Sequence, residues 1–227
     1  MRKDIVCDSS ALISLADSCI YGSIRHVLRK FPISFIITDV IEYECIIHPL
    51  NLVTKEYALS ALRIKDALQK GDLVKAGITP AVAAKCDEML KAANNIFFAQ
   101  GKPITLVQAG EIEVLALAHE MGIKRIMMDE RTTRLLIEAP LKIKAHFERE
   151  FRTLVMVNKE NLAKFSDFVN GVEVFRSTEF LSFAYLHGFL DEYGTLKQNV
   201  YSAALYKLKY SGCSISYEEI RELEKVG

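Results

Sequence analysis

Short β-rich runs separated by longer helical stretches constrain this chain more than anything else in it. The runs are "DIVC" (4–7), "ISFIIT" (33–38), "RIMM" (125–128), "TLVMV" (153–157) and "VEVF" (172–175). Between them, apolar residues recur at helical spacing over 10–30, 39–48, 54–70, 80–99, 106–121 and 131–138. Strands alternating with helices predict a parallel sheet covered by helices on both faces. The middle, 52–104, is broken by Gly71, Gly77 and Pro80 and reads as a helical insertion between the second and third strands. A second insertion, 140–170, begins at Pro140 and carries its own strand and helix. The tail, 178–227, reads as a helical hairpin. Ser216 with Glu219 makes a capping box for its last helix, and Thr195 with Gln198 a weaker one for the helix before.

At 227 residues the chain suits a single domain with a substantial core. Its 29 basic and 29 acidic residues cancel, so no global field draws in nucleic acid, and an RNA partner would need a local patch. The five cysteines (Cys7, Cys19, Cys45, Cys86, Cys213) are scattered and form no C-x-x-C. That argues against a disulfide framework or a zinc site and predicts buried small hydrophobes in a reducing compartment. The five histidines lack ligand spacing. The start, "MRKDIVCD", has no apolar signal core, and no run approaches a membrane span, so no membrane role and a cytoplasmic location are expected.

Acids then recur where such a sheet gathers functional groups, at the carboxyl ends of strands and the starts of helices. Asp8 follows the first strand in "IVCDSSALISL", where helix capping is the plain alternative. In "ITDVIEYECII", Glu44 shares a helix face with Val40, Ile41 and Ile47, an expensive place for an unpaired carboxylate. Glu111 and Glu113 open an Ala-rich apolar helix in "QAGEIEVLALAHEMG". Asp129 and Glu130 end a strand in "RIMMDERTTR". Clustered carboxylates repel one another, and a fold keeps such a cluster when a divalent cation neutralises it. Oxygen ligands without histidine or cysteine favour Mg2+ or Mn2+. The expected metal ligands are Asp8, Glu44, Glu111 and Asp129, with Glu113 and Glu130 in outer or neighbouring positions. Arg131, Arg134, Arg176 and Lys102 are candidate phosphate contacts. For Arg131 and Arg134 the alternative is ion pairing with Glu130 and Glu138 at helical spacing.

These stretches, in this order, resemble the PIN-domain nuclease superfamily. The stretch "GEIEVLALAHEMG" followed by "IMMDERTTR" is most similar to a prokaryotic branch with G-E-x-E and D-D-x-x-x-R motifs, related to toxin ribonucleases. Glu130 stands where that branch often has a second Asp. The resemblance covers roughly 1–48, 105–138 and 172–227. It implies a PIN-like three-layer α/β/α fold around a parallel sheet of four or five strands. It further implies a metal-dependent ribonuclease acting on RNA, single-stranded RNA being the expected substrate, with a frequent homodimer and sometimes a small antitoxin protein as partner. The alternative from another class is a catalytically silent scaffold of the same fold that binds RNA or a protein.

Overall fold

The computed structural model describes residues 4–18 and 20–226. Eight strands are present among them: β1 (Ile5–Cys7), β2 (Phe35–Ile37), β3 (Val74–Lys75), β4 (Phe97–Ala99), β5 (Lys102–Pro103), β6 (Arg125–Met127), β7 (Val155–Val157) and β8 (Glu173–Phe175). Five form one parallel sheet in the order β3-β2-β1-β6-β8, with helices on its faces. The α/β class and the parallel sheet expected from the alternation of runs are therefore present. The central strands are continuous apolar runs, and every residue of β1 and β2 is buried, as a sheet covered on both sides requires. Register is set by Val6 opposite Ile36 on one side and Ile126 on the other, with Met127 opposite Phe175.

From β1 the chain builds outward to β2 and β3, then returns to lay β6 and β8 on the opposite side. Strand order thus reverses at β1, and the carboxyl ends of β1 and β6 are where open sheets of this kind gather functional groups. Helix Ala109–Glu120 packs on both strands and against helix Pro80–Ala93, while helix Ser177–Leu186 packs on Ser9–Asp17 and Gly22–Lys30. Among the described residues no helix is long and apolar enough to cross a membrane.

Several boundaries differ from the sequence expectation. The stretch 10–30 forms two helices, and 80–99 stops being helical at Ala93. Beyond Ala93, β4 and β5 make a hairpin whose turn residues, Gln100 and Gly101, both have positive φ, 50° and 77°. That conformation matches the twist of tight hairpins. The segment 52–104 is not purely helical, because it supplies β3, the edge of the main sheet. It is also not separate from 140–170: β7 pairs antiparallel with β4, giving a small sheet ordered β5-β4-β7. At the tail, Ser216 and Glu219 form their capping box. Helix Lys197–Tyr210 instead follows a 3-10 turn and has no side-chain cap. Gln198 is engaged elsewhere, accepting from Tyr185 and donating to the Glu224 carbonyl. Cys7, Cys45 and Cys213 are buried free thiols and Cys86 is half-buried, while Cys19 lies outside the described residues.

Candidate active site

Asp8 ends β1 and caps helix Ser9–Asp17, its Oδ2 accepting from the Ser10 N–H at 3.0 Å and from the Ser10 hydroxyl. The same hydroxyl accepts from the backbone N–H of Asp129 at 3.0 Å, and the Asp8 N–H donates to the Met127 carbonyl at 2.9 Å. The ends of β1 and β6 are therefore stitched together around Ser10. Asp8 is only 3% exposed. Burial, reinforced by the charge of Glu44 and opposed by the Ser10 donors, pushes its carboxyl up to about 6.

Glu44 lies on a π-helical turn, Tyr43–Ile47, that continues the helix capped by Thr38. Such turns rotate the residues beyond them relative to an α-helix and recur at functional sites. Glu44 is half-buried, and its carboxylate fills the space that a side chain on Gly110 would enter. Glu111, one residue on, accepts from the Gln108 N–H and closes a capping box at the start of the Ala109–Glu120 helix. Burial raises its carboxyl to about 7, against the Gln108 donor, with further push from Asp8, Glu130 and Glu44. Glu44 thus acts on Asp8, and Asp8, Glu44 and Glu130 all act on Glu111, which places these carboxylates near one another beyond the ends of β1 and β6.

Asp129, expected among them, is placed differently. It is fully buried, and its Oδ1 and Oδ2 accept from the Ser177 N–H and hydroxyl, both at 2.7 Å. Asp129 thus turns inward to hold the Ser177–Leu186 helix, while Glu130, next in the chain, is near enough to Glu111 to push its carboxyl up. Glu130 caps helix Arg131–Glu138, accepting from the N–H groups of Thr132 and Thr133 at 2.7 and 2.6 Å. Glu113 is also outside the set. It reaches the Val40 N–H at 3.4 Å, on the far side of its helix from Glu111.

The basic residues divide as well. Arg176, expected as a phosphate contact, is 5% exposed, and its guanidinium is taken up by Glu179, Glu219 and the Ser214 carbonyl. Burial works against its charge, but the two glutamates outweigh that and raise its pKa. Arg134 also donates to the Ser214 carbonyl, at 3.4 Å. Arg131 is exposed, and neither it nor Arg134 pairs with a carboxylate among the described residues. Lys102 is exposed on β5, in the small sheet.

Among the described residues no three Asp, Glu, His or Cys side chains are already gathered as a metal cage. Asp8, Glu111 and Glu130 are each turned onto an adjacent N–H donor. The chemistry of the set nonetheless fits a hard divalent cation: neighbouring carboxylates, one deeply buried, beyond the ends of β1 and β6. The nearby Cys7 and Cys45 thiols are pushed up by burial and by the charge of Asp8, so they stay protonated and offer no thiolate. No family model, curated protein or solved structure matches this chain.

Proposed function

We propose that the chain is a divalent-metal-dependent endoribonuclease of the PIN type, hydrolysing phosphodiester bonds in single-stranded RNA. The observation that supports this most is the grouping of Asp8 and Glu111, both with raised carboxyls, with Glu44 and Glu130 close enough to push on them, where the order of a parallel sheet reverses. Asp8, Glu44 and Glu111 would hold Mg2+ or Mn2+, with Glu130 beside them. A bound cation there supplies activation of water and neutralisation of charge on phosphate oxygens. The chain's own residues do the remainder. Ser10 holds Asp8 in place and ties it to β6. Glu111, whose carboxyl is held near neutrality without metal, would give up its proton as the cation binds. Arg131 offers an uncommitted cation next to Glu130 for the RNA backbone. A homodimer and a small antitoxin-type partner are proposed on the sequence resemblance.

One observation favours the scaffold reading. Asp129, the strand-end acid expected to hold metal, spends both carboxyl oxygens on Ser177. An assay on unstructured RNAs with Mn2+, beside an Asp8→Asn, Glu111→Gln double variant, separates the two. Cleavage by the wild type alone, stopped by a chelator, is the expected result. Equal cleavage by both proteins marks a contaminant. Tight RNA binding with no cleavage by either protein establishes the scaffold.

A further inference from the structure

Gly110 is the second residue of the Ala109–Glu120 helix. Glycine is a poor choice inside a helix, and here no positive φ calls for it. Space does. A Cβ on Gly110 would lie 2.8 Å from Glu44 Oε1, 3.5 Å from Glu44 Cδ and 3.4 Å from Val40 Cγ1. Real Cβ atoms essentially never approach an oxygen that closely, so one of the two would have to move. The Glu44 carboxylate is the end of a flexible side chain, whereas Gly110 sits in a helix packed on β1 and β6. The carboxylate would give way, and the fold would stay.

We propose that Gly110 is a positioning residue of the acid site: its missing side chain leaves the space that seats the Glu44 carboxylate over the first turn of the Ala109–Glu120 helix. The seat has an electrostatic logic. The positive end of a helix dipole lies under a carboxylate that must share the site with Asp8, Glu111 and Glu130. A glycine immediately before Glu111 thus serves Glu44, a residue more than sixty positions earlier in the chain.

The inference rests on the metal-dependent reading, and its test can fail separately from it. The intact chain is titrated with Mn2+ by calorimetry as wild type, Gly110→Ala, Glu44→Ala and the double variant, and each is melted without metal. Gly110→Ala should melt no lower than the wild type yet bind Mn2+ about 10–100-fold more weakly, the usual cost of disturbing a residue that orients a ligand. In the Glu44→Ala background the same change should cost no further affinity, because nothing is left to displace. Equal binding by wild type and Gly110→Ala overturns the positioning role and leaves the metal reading standing. A Gly110→Ala deficit that persists undiminished beside Glu44→Ala also overturns it, since the clash would then lie elsewhere. A wild type that binds Mn2+ no better than Glu44→Ala removes Glu44 from the metal site and the positioning role with it, and a wild type that binds no Mn2+ at all sinks both readings.

Discussion

Asp8 and Asp129 end neighbouring strands and are both buried, at 3% and 0% exposure, yet substitution should affect them in opposite directions. Asp8 has its carboxyl raised to about 6 by burial and by Glu44. The folded state therefore binds a proton that the unfolded state has already lost between about pH 4 and pH 6. Stability falls as pH rises through that window. Asp8→Asn keeps a good helix cap and removes the charge, so it should stabilise the metal-free fold at pH 8 by about 1–3 kcal/mol while abolishing cleavage. Urea melts at pH 5 and pH 8 check it, and the gain should shrink at the lower pH. Asp129→Ala orphans the buried Ser177 donors and should cost about 2–3 kcal/mol. A stabilised Asp129→Ala would move that residue into the repelling set. Sequence reasoning saw an acid at both strand ends but could not see Ser177, which approaches from a helix 48 residues further on.

The Tyr217–Leu223 helix is held to the Ser177–Leu186 helix by Arg176, which pairs with Glu179 and with Glu219 at 2.8 Å. Removing the guanidinium leaves two carboxylates facing each other, and Arg176→Ala should cost on the order of 3 kcal/mol. Hydrogen exchange should rise first in the Tyr217–Leu223 helix; uniform protection there would show that Arg176 is not its anchor. Burial works against the Glu219 charge, but the Ser216 donors and Arg176 win and lower its carboxyl to about 2. That contribution is present above about pH 4 and is lost as pH falls toward 2. In the same network Glu179, three residues on, lies within a local spacing rule that the sequence reading did not apply to Arg176, whereas Glu219, 43 residues away, lies beyond any such rule. Elements with strong periodicity or long apolar runs were readable, as in β1, β2, β6 and the Arg131–Glu138 helix. The edge strand β3 was not, because its two residues are both exposed and carry no alternation. β4 was hidden because Phe97 and Phe98 extend the apolar pattern of the preceding helix, although the Gln100–Gly101 turn signal stood beside it.

Across the whole molecule the 29 basic and 29 acidic residues cancel, so on the proposed function RNA binding would fall to a few local cations. Arg131→Ala should lower the slope of log affinity against log salt by roughly 0.7, one phosphate contact on a single strand, whereas Arg176→Ala should leave it unchanged. Filter binding from low to moderate salt measures both, and an unchanged slope for Arg131→Ala would remove it from the RNA surface. The alternation of strands and helices was enough to give the sheet its class and to put Asp8 and Asp129 just past the ends of neighbouring strands. It could not show that 97–99 pairs with 155–157, because that contact joins two stretches with no shared pattern. The strand order also has a consequence during synthesis. β2 reaches β1 early, but β6 and β8, the other half of the sheet, come from residues 125–127 and 173–175. Glu130 is translated more than 120 residues after Asp8, and the Ser177 donors that fasten the end of β6 come later still. A nascent chain therefore carries Asp8 long before Glu111 and Glu130 exist. Parallel pairing over such separations is slow to close, and that delay keeps the site unassembled until most of the protein has been made.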